Sequence, residues 1–134
     1  MAREVSLHRE AHWFVPDIGD NRKDPDPFKV FVTPLTGAES DRLSQAELGI
    51  TGSKSRNTVA MGQRYVERII REHVREVKGY AGIDAEGKRI EATDGASLLK
   101  LLALADDAEQ SAVIEEIMGE IRGVSRLRGD IPKA

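Results

Sequence analysis

Residues Asn57 to Lys78 carry the most regular hydrophobic period in the chain, and that period limits what the rest can fold into. Val66, Ile70, His73 and Val77 recur at spacings of 4, 3 and 4, and Ile69 and Val74 widen the same face. Opposite them run Arg64, Arg68, Arg71, Arg75 and Lys78, spaced 4, 3, 4 and 3. At about 100° per residue the two stripes lie on opposite sides of one cylinder. The spacing predicts one amphipathic helix of about five to six turns, apolar on one face and basic on the other. A chain of 134 residues fits one domain and is long enough to bury the apolar face in a real core.

Composition narrows what surrounds that helix. Aromatic residues are only 4% of the chain, so aliphatic side chains must build the interior. A net charge of −3 argues against general affinity for nucleic acid or for anionic membranes. The absence of cysteine excludes disulfides, thiolate nucleophiles and cysteine zinc sites. The N-terminus, Met1 to Val5, has no apolar signal core, and no apolar run approaches the ~20 residues of a membrane span. The expectation is a soluble, unexported protein with no membrane partner.

Before the long helix the chain reads as β-rich. Residues 1–10 are polar and suit a short strand or a loose arm. Ala11–Pro16 (Trp13, Phe14, Val15) and Phe28–Thr33 (Phe28, Val30, Phe31, Val32) suit a hairpin. The intervening Asp17–Pro27 is too long for a tight turn and too polar to be buried, which predicts a protruding, mobile loop. Phe28, Val30 and Val32 point one way, whereas Phe31 points the other, beside Trp13 or Phe14 depending on register. Such a sheet needs cover on both faces, from helices or from another chain, and an exposed edge would be a docking point for a partner strand.

Pro34 stops the second strand, and Thr36 to Glu39 reads as a capping box opening a short helix to about Leu48. Its main apolar contacts are Leu43 and Leu48, and Gly49 to Ser55 reads as a flexible connector. Gly79 is placed to end the long helix. Tyr80–Ile83 and Lys88–Ala92 flank the turn Asp84–Gly87 as a second small hairpin. Thr93 or Asp94 then caps a helix to about Leu104. Its leucines 98, 99, 101, 102 and 104 leave it apolar nearly all round, so it belongs among other elements or between subunits. Asp106 and Asp107 open a last helix whose stripe is Val113, Ile114, Ile117, Met118, Ile121 and Val124, running to about Leu127. The expected fold class is mainly α within α+β: an N-terminal β-hairpin followed by about four helices. The expected domain spans 1–127, β-rich over 1–34 and helical over 35–127, with a flexible tail at 128–134.

No arrangement of residues points to catalysis. His8, His12 and His73 form no metal-binding spacing, and His73, central on an apolar face, reads as a core histidine bonded to a carbonyl. The aspartates of 17–27 match no EF-hand and read as a solvated loop. Gly49 to Ser55 has the wrong glycine spacing for a phosphate loop, and no Gly-x-Ser-x-Gly elbow exists. Glu115 and Glu116 are adjacent, so they face different directions on a helix. The chain is expected to be non-enzymatic, with no cofactor and no metal.

The arginine stripe is the most serious functional signal. It reads as a solvated surface laced by Glu67–Arg71 and Glu72–Arg75 pairs, each worth only about 0.2–0.5 kcal/mol, or as a face meeting an acidic partner. Phosphate contacts are disfavoured because the chain as a whole is acidic. Gly119 and Gly123, four apart in the last helix, suit either close approach of a second helix or fraying.

Residues 13–127 resemble a tail assembly chaperone of long-tailed bacteriophages. The resemblance lies in Phe28-Lys-Val-Phe-Val-Thr-Pro-Leu-Thr-Gly-Ala-Glu39, a strand followed by Pro-Leu-Thr and an acidic helix start, and in the order of later features. A long helix runs into Val77-Lys-Gly-Tyr80 and the turn Asp84 to Ile90. Thr93-Asp-Gly95 then opens a leucine helix, and a final helix ends in Ser125-Arg-Leu127. The resemblance implies a small, mostly helical, self-associating protein of the host cytoplasm. It would coat the tape-measure protein, keep it soluble and recruit tail-tube subunits, and many family members also occur in a frameshifted, extended form. The expected contact residues are Trp13, Phe28 and Phe31 on the hairpin, Arg64, Arg68, Arg71 and Arg75 on the basic face, and Leu99 and Leu102 on the leucine helix. Two other readings stay open: a head–tail connector or adaptor subunit of the virion, and a nucleic-acid-binding regulator using the basic helix.

Overall fold

The interior forms where one face of a small antiparallel sheet meets the apolar sides of the helices. The computed structural model describes residues 11–52 and 56–126, leaving aside the side chains of 47–61 and 124–126. Its elements are β1 (His12–Phe14), a 3₁₀ turn at Asn21–Lys23, β2 (Lys29–Val32), α1 (Gly37–Gly52) and α2 (Arg56–His73). These are followed by β3 (Val74–Lys78), β4 (Ala81–Ile83), β5 (Arg89–Glu91), α3 (Gly95–Leu104) and α4 (Asp107–Arg126). The strands form a three-stranded sheet, β1-β2-β3, and a separate pair, β4-β5, all antiparallel. The chain is therefore α+β. The expectations for residues 1–10 and 128–134 lie outside the described residues.

The predicted helix over 57–78 is corrected: it ends at His73, and the chain passes directly into β3. Backbone hydrogen bonds locate the change. In a continuing helix the Val77 amide would donate to the His73 carbonyl. Instead that carbonyl accepts from Thr33 N at 2.9 Å, and Val77 N donates to the Thr93 carbonyl at 2.9 Å. A β-bulge explains why the period misleads. Val30 pairs with Val77, Phe31 with Glu76 and Val32 with Val74, so Arg75 is the extra residue and stands with Glu76 against Phe31. Val74 and Val77 are both buried although three apart, a spacing that a regular strand would split between its two faces. A bulged strand and a helix turn thus share one sequence signature. Cross-strand pairing of four β-branched valines decides for the strand.

Glycines seat the neighbouring segments. Gly79 ends β3, not a helix; it adopts φ +77°, and a Cβ there would lie 2.7 Å from the Pro27 carbonyl oxygen. Gly95 opens α3 against the end of α2. A Cβ there would collide with the Ile70 carbonyl and lie 3.0 Å from that of Val74. Asp94 caps α3 in a reciprocal box with Ser97. The Thr36–Glu39 box is present as read: Glu39 N donates to Thr36 Oγ1 at 3.1 Å and Thr36 N to Glu39 Oε1 at 3.0 Å. The helix it opens continues through Gly52, so the expected connector is helical up to that residue.

One apolar cluster joins the β-rich part to the helices. Phe28, Val30, Val32 and Leu35 meet Leu43 of α1, Ile69 and Ile70 of α2, Leu98 and Leu102 of α3, and Val113, Ile117, Met118 and Ile121 of α4. The leucine helix is only partly enclosed. Leu98 and Leu102 are fully buried, Leu99 and Leu101 are half-buried, and Leu104 is 85% exposed. The loop after β1 is tied back by Asn21, Arg22 and Glu116, with Asn21 making the most bonds. Asn21 donates to the carbonyls of Pro16 and Phe28, both at 2.9 Å, and accepts from Phe28 N at 2.8 Å. The free, protruding loop is thereby replaced by a pinned one.

Candidate interaction surface

Alternation along β2 sorts its side chains cleanly. Val30 and Val32 enter the core, so Lys29 and Phe31 stand on the opposite, outer face. The register places Trp13 of β1 across from Phe31 and thereby settles which aromatic Phe31 meets. Their rings meet edge to face with centroids 5.3 Å apart. On β3 the bulge turns Arg75 and Glu76 toward solvent beside Phe31, and Lys78 pairs with Lys29. Both ammonium groups, Lys29 Nζ and Lys78 Nζ, lie 5.1 Å from the Trp13 ring centroid. Each such contact contributes about 0.5–1 kcal/mol at an exposed site, enough to orient the indole but not to build a fold. Trp13 remains 37% exposed. The outer face thus carries an aromatic pair, three cationic side chains and one carboxylate.

The nine residues expected to make contacts separate into three groups. Trp13, Phe31 and Arg75 come together on this face. Arg64, Arg68 and Arg71 are exposed on α2, where Arg68 Nε pairs with Glu72 Oε1 at 3.0 Å. The predicted Glu72–Arg75 pair does not form because Arg75 belongs to a strand, and Glu67–Arg71 is not made either. Among the described residues Arg64, Arg71 and Arg75 take part in no ion pair. Of the remaining three, the expectations for Phe28 and Leu102 are corrected. Phe28 and Leu102 are buried, Phe28 against the Tyr80 ring at 4.7 Å, because each lies on the inward side of its element. Phe28 and Leu102 offer no open surface, and Leu99, packed against the core, is half-buried, as Phe31 is.

Sequence reasoning missed Lys29 as the partner of Trp13. It also missed the exposed apolar side chains Ile83, Ile90 and Leu104. Lys29 could have been found, since it shares strand parity with Phe31. Gly119 and Gly123 have open space where a Cβ would sit, so no described element packs on them.

His73 sits at a polar junction of α1, α2 and the end of β2. Its Nε2 lies 2.7 Å from Glu39 Oε2, and its Nδ1 lies 2.9 Å from Thr33 Oγ1 and 3.2 Å from the Thr33 carbonyl. The expected carbonyl is present, but the shorter bond goes to the carboxylate. Burial pushes the Glu39 carboxyl up, yet hydrogen bonds from His73 and the Thr36 amide outweigh it and hold its pKa below the ordinary value. An ionised Glu39 requires the proton on Nε2. Ligand atoms of Glu39, Glu72 and His73 lie within 4.8 Å of one another. A cation ligated by His73 Nε2 would have to displace the proton that Nε2 shares with Glu39, so the cluster reads as a structural junction. No helix among the described residues is long and apolar enough to cross a membrane.

No family model, curated protein or solved structure matches this chain.

Proposed function

We propose that this chain is a non-enzymatic assembly factor of the tail assembly chaperone type found in long-tailed bacteriophages. It binds and shields the tape-measure protein in the host cytoplasm, recruits tail-tube subunits and self-associates. The observation that carries the reading is the outer face of the three-stranded sheet, over which no element among the described residues packs. There Trp13 and Phe31 stand among Lys29, Arg75 and Lys78 while the opposite face seals the core. A chain that leaves aromatic and cationic groups uncovered on a rigid support is equipped to hold another chain. Arg64 and Arg71 of α2, which join no ion pair among the described residues, extend the same character, and the sequence resemblance over 13–127 supplies the identity of the client.

Co-expression with the tape-measure protein of the same phage tests the proposal. The client should move from the insoluble to the soluble fraction and co-purify with this chain, and the chain should be missing from finished particles. A tape measure whose solubility is unchanged overturns the reading. Stoichiometric presence in virions would instead identify a connector subunit.

A further inference from the structure

We infer that the outer face of β1-β2-β3 is a docking surface for an acidic polypeptide segment that carries a large apolar side chain. The inference deepens the proposed function by naming the chemistry the client must bring, and it rests on that reading only for the existence of a client. Three observations carry it.

The first is composition. The face presents Lys29, Arg75 and Lys78 against the single carboxylate of Glu76, on a chain whose overall charge is −3. A locally cationic face on an anionic molecule favours an anionic partner and sets its orientation. The second is incomplete neutralisation. Glu76 lies 3.9 Å from Lys78, with both side chains more than half exposed, while Lys29 and Arg75 join no ion pair among the described residues. The third is the aromatic pair. Trp13 and Phe31 meet edge to face and stay partly open, so a leucine or aromatic side chain set down beside them is desolvated next to two ammonium groups. The bulge contributes directly: as the extra residue, Arg75 joins Glu76 on the outer side, whereas a regular strand counted back from the inward Val77 would turn position 75 inward. A protein segment is favoured over a nucleic acid strand because the Trp13 ring already carries two lysine side chains and Glu76 stands in the same cross-strand row.

Trp13 is the sole tryptophan, so its emission reports on this face alone. The test titrates the purified full chain with a twelve-residue peptide of alternating Glu and Leu. A Lys and Leu peptide and a twelve-nucleotide oligothymidylate serve as comparisons, and fluorescence anisotropy of each labelled ligand is a second readout. The acidic peptide should change Trp13 emission and bind at least about tenfold more tightly than the basic one, with affinity falling as salt rises. The double variant Lys29→Glu with Lys78→Glu should weaken binding by about tenfold or more, whereas Glu76→Lys should strengthen it. Circular dichroism establishes that each variant is folded, and the gain in Glu76→Lys cannot arise from unfolding. Equal binding of the two peptides, no response of Trp13, or no effect of Glu76→Lys overturns the inference. Tighter binding of the oligothymidylate also overturns it and assigns the face to single-stranded nucleic acid. If the acidic peptide binds but the tape-measure protein does not, the docking surface stands and the tail-assembly reading falls.

Discussion

The two sheets are built from similar short antiparallel strands, yet they do different work. In β1-β2-β3 the inner face of β2 and β3 is sealed: Val30, Val32, Val74 and Val77 are each at most 3% exposed. In β4-β5 no strand residue is buried, and Ile83 is 76% exposed. The first sheet is part of the interior and can therefore hold its outer side chains in fixed places. The second is an appendage, attached where Gly82 meets Leu101 of α3 and where the Tyr80 ring packs on Phe28. A strand pair with no buried side chain gains little from packing, so its stability comes mainly from its turn and backbone bonds. Asp84 supplies that turn, accepting from the amides of Glu86 at 3.0 Å and Lys88 at 2.8 Å.

Substitutions can break this contrast. The largest effect is expected at Gly95, which joins the β5 side of the chain to β3. Gly95→Ala drives a methyl into the backbone of Ile70 and Val74, which cannot yield as a side chain would, and should cost about 3 kcal/mol in denaturant unfolding. Val30→Ala, on the sealed face, should cost about 2 kcal/mol through lost burial and a residual cavity. Ile83→Thr, on the appended pair, should stay within about 0.5 kcal/mol of the parent. A loss there as large as that of Val30→Ala would show that the second sheet is as integral as the first.

Two proton-linked measurements sharpen the contrast further. Glu39 is held below the ordinary carboxylate pKa, so its contribution is fully present above that ordinary value and is lost as pH falls through the depressed one. Glu39→Gln should therefore cost about 1 kcal/mol near neutrality, with the difference from the parent closing in acid unfolding curves. At the join between the sheets, burial first and then the charge and hydrogen bond of Glu109 push the Tyr80 phenol up to about 12. Burial also raises Tyr65. Because the chain has only these two tyrosines, ultraviolet titration should place both phenolate midpoints above the ordinary pKa of 10. The linked stabilisation is present below that ordinary value and fades as pH rises through the folded one.

Features encoded within a few residues were legible in advance. The Thr36–Glu39 box, the aspartate opening of α4 and the Asp84 turn depend on side chains bonding to nearby amides, and such signals survive in sequence. Features that depend on distant partners were not legible. Whether Val74 and Val77 belong to a helix or a bulged strand is decided by β2, more than 40 residues earlier. Asn21 looked like any loop residue because its partners are backbone groups of Pro16 and Phe28. The contact surface was half legible for the same reason. Parity on β2 exposes Phe31, but the convergence of Lys29 and Lys78 on Trp13 requires the register of all three strands.

The passage from α2 into β3 without an intervening loop gives the molecule a stiff crank. Ordinarily a few soft dihedrals between two elements absorb a displacement of either one. Here the His73 carbonyl is already bonded to Thr33, and its ring is held by Glu39 and Thr33. A load applied along the arginine-bearing side of α2 is therefore delivered as torque to the strand that carries Arg75 and Lys78.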